Sequence, residues 1–189
     1  MKKIILASTS PRRREILKNA GYIFDIVSPD YDEHIAGKHF SYDLIKKTAE
    51  RKGASILEKI KEPAIVISAD TVVVHDRIIL GKPKSYEEAF SMLSSLQGEK
   101  HIVVTGVCVI DSENGNKIVD SETSEVTFQN ITEDKIDWYI NKFRPFDKAG
   151  SYGIQEIPAD FIREIKGEYD NIVGLPLKLL KNMLKEITT

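Results

Sequence analysis

The sequence has 189 residues, of which 41% are hydrophobic and 30% are charged, a composition typical of a folded globular protein that excludes a disordered chain. Its 27 Lys and Arg residues nearly balance 29 Asp and Glu residues, and the net charge of −2 disfavours binding to a nucleic acid polymer. No apolar run approaches the ~20 residues of a membrane span. The single cysteine, Cys108, cannot form an internal disulfide, and the apolar run around it predicts that its thiol is buried. We therefore predict one domain over residues 1–189, located in the cytoplasm, with no membrane partner.

The predicted elements alternate between strands and helices along the chain. A short apolar run at 3–8 predicts a buried strand, and Ser10-Pro11 predicts a helix at 11–19, because serine caps helices and proline fits their first turn. An Asn-Gly step at 114–115 predicts a hairpin between strands at 102–110 and 117–128. Apolar patterning predicts the other elements: strands at 22–28, 64–75, 78–80 and 161–165, and helices at 41–60, 85–97, 132–142 and 177–187. Crossovers mixed with hairpins predict an α/β fold with a mixed sheet and flanking helices, elongated into two lobes with a cleft between them.

Asp70 stands out because it interrupts the most apolar run of the chain. The residues before and after Asp70 in the sequence place apolar side chains on both faces of the predicted strand, which indicates that both faces are buried. An ionised carboxylate is costly there unless it is paired, hydrogen-bonded or bound to a metal. Asp70 is therefore either a strand-end residue that caps a loop or pairs an arginine, or a catalytic or metal-ligating residue.

Lys52 lies on the apolar stripe of the helix predicted at 41–60, in helical register with Ile45, Ala49 and Ile56. A lysine on such a stripe either extends its ammonium to water or lines a cleft and faces an anion. Spacing alone leaves both open.

The segment at 8–14 joins a predicted strand to a predicted helix. Ser8, Thr9 and Ser10 precede Arg12 and Arg13, so hydroxyl groups and guanidinium groups surround a helix N-terminus, where unpaired N–H groups bind phosphate readily. The segment lacks the glycines and spacing of a Walker loop. It is either an anion-binding cradle or a solvated basic turn.

Two later segments carry further polar candidates. Lys82 directly follows the short strand at 78–80, in a loop stiffened by Pro83, and on position alone it is a surface residue. The segment at 147–155 combines charged residues, two glycines and Gln155. Its glycines either let the backbone approach a ligand closely or only turn the chain.

Taken together, these segments resemble the Maf family of nucleoside triphosphate pyrophosphatases from one end of the chain to the other. The motifs that carry the resemblance are, in order, LASTSPRRREIL at 6–17, Asp32-Glu33, Lys52, SADTVV at 68–73, GKP at 81–83, HIVVTGV at 101–107, DKAGSYGIQ at 147–155 and NIVGLPL at 171–177. The resemblance implies an inosine-triphosphatase-like fold with a deep cleft between two lobes, and a homodimer. It also implies hydrolysis of a nucleoside triphosphate to the monophosphate and pyrophosphate with Mg²⁺ or Mn²⁺.

The resemblance also implies a substrate class. Arg12, Thr71 and Gln155 match the subgroup that acts on dTTP and UTP, and not the subgroup that prefers N7-methyl-GTP, which remains the alternative. We therefore expect a pyrimidine nucleoside triphosphate as substrate, with removal of non-standard nucleotides as one physiological role.

Site roles follow from the family pattern. Ser8, Arg12 and Arg13 would hold part of the triphosphate, and Lys52 and Lys82 would complete the clamp. Asp70 would be the general base for water attacking the α-phosphorus, or a ligand of the metal that activates that water. Glu33 would be a second metal ligand, with Asp32 as the alternative.

A non-catalytic hypothesis uses the same cations. Members of this family have been linked to arrest of septum formation and cell division, so the protein could sense a nucleotide without hydrolysing it. Pure binding requires no water-activating carboxylate, and the presence of Asp70 and Glu33 therefore favours catalysis.

Overall fold

The computed structural model describes residues 2–31 and 35–188. Its strands are β1 (Lys3–Leu6), β2 (Phe24–Ile26), β3 (Ala64–His75), β4 (Ile78–Leu80), β5 (Lys100–Asp111), β6 (Lys117–Phe128) and β7 (Ile162–Lys166). Its α-helices are α1 (Pro11–Asn19), α2 (Tyr42–Ala54), α3 (Tyr86–Leu96), α4 (Glu133–Phe143), α5 (Tyr169–Val173) and α6 (Leu177–Ile187). Short 3₁₀ turns cover Leu57–Lys59, Ala149–Ser151 and Ala159–Phe161.

Serine residues cap the start of three helices, and the sequence predicted one of these caps, Ser10. The hydroxyls of Ser10, Ser41 and Ser85 accept hydrogen bonds from the backbone N–H of the third residue of α1, α2 and α3. Thr132 precedes α4, but its side chain makes no capping hydrogen bond. The predicted end of α2 at residue 60 is wrong: the helix ends at Ala54, where the Ser55 hydroxyl donates to the carbonyl of Lys52 and accepts from the N–H of Asp30.

The sheet is mixed and has seven strands in the order β2-β1-β3-β5-β6-β7, with β4 paired to β3. β1 is parallel to both of its neighbours, whereas the ladders from β3 through β7 are antiparallel. These ladders confirm the predicted mixed α/β fold with flanking helices. The division into two lobes stays a prediction.

The edge of β3 is shared by two short partners that do not meet. β1 pairs with β3 only from Ala64 to Ile67, and β4 pairs only from Val73 to His75. Residues 68–72 of β3 therefore have no strand neighbour on this side. Parallel strand β1 ends beside this gap, and α1 follows it directly.

Helices cover both faces of β3. Val66 packs with Ala49 and Ile56 of the α2 segment, and Ile67 packs on the opposite face with residues of α1 and α6. This arrangement confirms a strand buried on both sides. Cys108 on β5 is fully buried too, and burial raises the pKa of its thiol to about 12.

Among the described helices, none has both the length and the apolar character that a membrane crossing requires.

Candidate functional site

A cavity of about 530 Å³ lies along the uncovered edge of β3. Its walls come from the segments around the end of β1, the middle of β3, the loop after β4, residues 147–156 and residues 172–174. The cavity gathers the candidate residues Ser8, Arg12, Arg13, Lys52, Asp70, Thr71, Lys82 and Gln155. Glu33 and its alternative Asp32 lie outside the described residues.

Asp70 and Lys52 form an ion pair in the wall of this cavity. Lys52 Nζ lies 2.5 Å from Asp70 Oδ1, and the two side chains are 17% and 14% exposed. The carboxylate is therefore paired with a lysine rather than an arginine, and the lysine does not extend to bulk water. An ion pair that is mostly removed from solvent but open to a cavity can act on a ligand bound there.

Two glycines bring α2 close enough to the sheet for this pair to form. A Cβ atom on Gly53 would lie 2.6 Å from Ser68 Oγ, and a Cβ atom on Gly106 would lie 2.7 Å from the Ile45 carbonyl oxygen. The Ser68 hydroxyl donates to the Ala49 carbonyl at 2.7 Å, which fixes the helix on β3. Only glycine fits at either contact without moving backbone or breaking this bond.

Arg13 binds three groups of the cavity wall. Its Nε donates to the Gly174 carbonyl at 2.8 Å, Nη1 to Ser8 Oγ at 3.3 Å and Nη2 to Thr71 Oγ1 at 3.1 Å. Burial lowers the pKa of Arg13 from its ordinary value and the charge of Asp70 opposes this, yet an arginine stays charged at neutral pH. Arg13 thus supplies fixed positive charge while it joins α1, β3 and the segment after α5.

Thr71 lies in a network of hydrogen bonds. The Thr105 hydroxyl donates to the Asn171 carbonyl at 3.1 Å, and the Thr71 hydroxyl has two acceptors within reach, Thr105 Oγ1 at 2.9 Å and the Gly174 carbonyl at 3.3 Å. Thr71 Oγ1 in turn accepts from Arg13. Because adjacent strand residues point to opposite faces, Asp70 reaches the cavity on the α2 side of β3 and Thr71 on the α5 side.

Asn171 anchors this network, and the sequence indicated no chemical role for it. Its side chain is fully buried, and Nδ2 donates to the Val103 carbonyl and to Ser124 Oγ, both at 3.0 Å. These bonds hold α5, and with it the Gly174 carbonyl that binds Arg13, against β5 and β6. Only the place of Asn171 within the NIVGLPL motif could have indicated this role in the sequence, because its residue type alone did not.

The remaining candidates lie nearer the cavity mouth. Lys82 is exposed and forms no ion pair with a described residue. Arg12 Nη1 lies 3.9 Å from Asp147 Oδ2, and Gln155 is exposed in a turn closed by bonds from the Glu156 and Ile157 N–H groups to the Gly153 carbonyl. The cavity therefore presents cations and an amide to solvent, with a carboxylate at its wall.

The fold resembles that of the Ham1 proteins. The Staphylococcus aureus Ham1 protein superposes with a TM-score of 0.51 at 16% identity, covering 98% of this chain and 99% of that one. A HAM1 protein from Coxiella burnetii gives a TM-score of 0.50 at 13% identity, covering 98% and 100%. At these identities the likeness shows the fold alone.

Sequence comparison gives the family. Residues 3–187 match the Maf-like proteins, and the chain belongs to this family. A dTTP/UTP pyrophosphatase from Clostridium beijerinckii is 48% identical over 186 residues, covering 98% of this chain and 99% of that protein. A dTTP/UTP pyrophosphatase from Desulforamulus reducens is 44% identical over 185 residues, covering 98% and 96%.

Proposed function

We propose that this protein is a nucleoside triphosphate pyrophosphatase that hydrolyses dTTP and UTP to the monophosphate and pyrophosphate. The observation that carries the proposal is the Asp70–Lys52 pair in a cavity that also presents Arg12, Arg13 and Lys82. The names of relatives at 44–48% identity support the choice of reaction and substrates.

The cations bind the triphosphate chain. A triphosphate carries about four negative charges, so cleavage needs fixed positive charge around the phosphates. The N-terminus of α1 adds N–H groups beside Ser8, and Arg13 is held rigidly by the Gly174 carbonyl. Lys82 is exposed and Arg12 is half-buried, and both would bind the phosphates from the mouth of the cavity.

Asp70 takes the proton of the attacking water, or holds the metal that activates it. Lys52 fixes the carboxylate through Oδ1, and Oδ2 accepts no hydrogen bond from a described residue. A fixed carboxylate with one available oxygen suits either role. The water attacks the α-phosphorus and pyrophosphate leaves.

The donor set fits a divalent cation of the Mg²⁺ or Mn²⁺ type. The described residues hold no group of three metal-ligating side chains. Mg²⁺ bound with a nucleotide uses one or two carboxylates and takes its other ligands from phosphates and water. Asp70, with Glu33 as the second carboxylate, would hold such an ion, which when bound would offset phosphate charge and acidify water.

Base recognition falls to the residues at the mouth. Uracil and thymine present an acceptor–donor–acceptor edge that the Gln155 amide and backbone groups can satisfy together. A base with a different edge leaves buried polar groups unpaired and is rejected. Thr71 contributes by holding Arg13, because its hydroxyl is already bound within the protein.

We further propose that residues 1–189 form a single Maf-type domain that works in the cytoplasm as a homodimer and removes non-standard nucleotides. A single, fully buried cysteine suits a reducing compartment. The homodimer rests on the family resemblance.

A substrate panel tests the proposal. Purified protein with Mg²⁺ is incubated with dTTP, UTP, CTP, dATP, GTP, ITP and N7-methyl-GTP, and the products are separated by ion exchange. We expect monophosphate and pyrophosphate from dTTP and UTP and little from N7-methyl-GTP. Preference for N7-methyl-GTP would contradict the assigned roles of Arg12, Thr71 and Gln155. Tight binding without turnover would favour the nucleotide-sensing alternative.

A further inference from the structure

Lys148 is held between two carboxylates at the ends of one segment, which we call the 147–156 segment. Lys148 Nζ lies 2.9 Å from Asp147 Oδ1 and 3.0 Å from Glu156 Oε2. The lysine side chain is 8% exposed, whereas the two carboxylates are 65% and 43% exposed. The ammonium thus closes the segment into a loop, with its own charge inside and the carboxylates at the surface.

Gly153 lies directly against the Lys148 side chain in this loop. A Cβ atom on Gly153 would lie 2.8 Å from Lys148 Cε and 2.9 Å from Cδ. The aliphatic stem of Lys148 therefore runs directly beneath the backbone of the turn that carries Gln155. Buried methylene groups under the turn and an ion pair beyond it fix the turn from two sides.

The backbone of the segment needs such fixing. Gly150 and Ser151 have φ of 68° and 63°, in the left-handed region that a serine rarely adopts. The Gly150 N–H donates to the Gly81 carbonyl at 3.1 Å, so the same turn supports the loop that carries Lys82. Strain at Ser151 persists only where neighbouring contacts hold it.

The segment also reaches Arg12. Partial burial tends to raise the pKa of Asp147, but the hydrogen bond from Lys148 and the charge of Arg12 hold it below its ordinary value. Asp147 is therefore an anion that pairs closely with Lys148, and Arg12 lies farther away, with Nη1 3.9 Å from Asp147 Oδ2.

We propose that Lys148 is a positioning residue for base recognition rather than a phosphate ligand. It holds the turn that presents Gln155. Its ammonium is bound by two carboxylates, and moving it toward a triphosphate would leave both carboxylates unpaired beside a polyanion. The inference rests on the proposed function, because the role of Gln155 belongs to it.

A double-mutant cycle distinguishes positioning from phosphate binding. The variants are Lys148→Met, Glu156→Gln and the double variant, with Lys142→Met on α4 as a matched control. We expect both single changes to lower the ratio of kcat/KM for UTP over CTP, Lys148→Met by about tenfold, and the double variant to lose no more than Lys148→Met, because both changes remove the Lys148–Glu156 ion pair. Since Asp70 and Lys52 are untouched, kcat for UTP should fall much less than this ratio.

Phosphate binding by Lys148 predicts a different set of results. Lys148→Met would then raise KM for UTP and CTP equally, and Glu156→Gln, which removes one of the two carboxylates that bind the lysine, would keep or improve activity. Either result overturns the proposal, as does equal use of UTP and CTP by the wild type. Glu156 is exposed, so Glu156→Gln tests the proposal even if Lys148→Met unfolds.

The experiment also separates this inference from the proposed function. If the wild type hydrolyses neither UTP nor CTP, the proposed function fails. Calorimetric affinities for the two nucleotides then replace kcat/KM in the same cycle, with the same expected loss of discrimination and the same contradicting result.

Discussion

A buried histidine behind the cavity should make the protein sensitive to mild acid. His101, at the start of β5, is 2% exposed, and its Nε2 lies 2.7 Å from the hydroxyl of Tyr152, which lines the cavity. Its Nδ1 has no hydrogen-bond partner among the described residues, and the ring packs edge-to-face on Phe128. Burial, with a smaller contribution from His75, lowers the pKa of His101 from 6.5 to about 3. The histidine is therefore neutral in the folded protein at neutral pH.

The direction and size of the effect follow from proton linkage. Because the pKa of His101 is lower in the folded state, the unfolded chain binds more protons as the pH falls below 6.5. The contribution of His101 is fully present above pH 6.5 and is lost progressively as the pH falls towards 3. Each pH unit in this range costs about 1.4 kcal/mol, so at pH 5 the free energy of unfolding should be about 2 kcal/mol lower than at pH 7.5.

Urea unfolding at pH 7.5 and pH 5.0 measures this loss, with the fluorescence of Trp138, the single tryptophan, as the signal. His101→Gln keeps a polar group within reach of Tyr152 but cannot take up a proton. The variant should therefore lose about 2 kcal/mol less than the wild type between the two pH values. His39→Gln removes an exposed histidine and should retain the wild-type loss. Equal losses in His101→Gln and the wild type would refute the reasoning.

Two substitutions and one labelling experiment test other parts of the account. Gly53→Ala should destabilise the fold by about 1–3 kcal/mol and lower kcat, because its Cβ meets Ser68 Oγ and displaces α2, and unchanged Tm and kcat would refute this. Asp70→Asn should still fold and bind nucleotide but lose at least about 100-fold in kcat, and near-normal turnover would remove Asp70 from its assigned role. Cys108 should react with a thiol reagent at pH 8 at least about 100-fold more slowly in the folded than in the guanidinium-unfolded protein, so comparable rates would contradict its burial.

Local patterns predicted most of the fold. The serine caps of α1, α2 and α3 and the long hairpin of β5 and β6 depend on residues close together in sequence. The early end of α2 depends instead on Ser55, whose hydroxyl is shared with the N–H of Asp30, a partner in another loop. Helix α5 was not predicted, because five residues are too few to show helical periodicity.

The candidate site was predicted at the level of residues but not of contacts. An unexpected carboxylate in an apolar strand and a lysine on an apolar helix face indicated Asp70 and Lys52, and the structure pairs them. The close contact of Gly53 with β3 and the support that Asn171 gives to Arg13 join residues far apart in sequence. Spacing carries no information about such contacts. Lys148 looked like one charge among several in a turn, and only its burial reveals its partners.

The central claim is that water attacks the α-phosphorus of a pyrimidine nucleoside triphosphate bound beside Asp70. Hydrolysis of dTTP in ¹⁸O-labelled water with Mg²⁺, followed by mass spectrometry of both products, tests this directly. The account predicts one labelled oxygen in the monophosphate, none in pyrophosphate, and loss of this product in Asp70→Asn. Label in pyrophosphate would place the attack on the β-phosphorus, and release of labelled orthophosphate with a nucleoside diphosphate would place it on the γ-phosphorus. Either result would contradict the account.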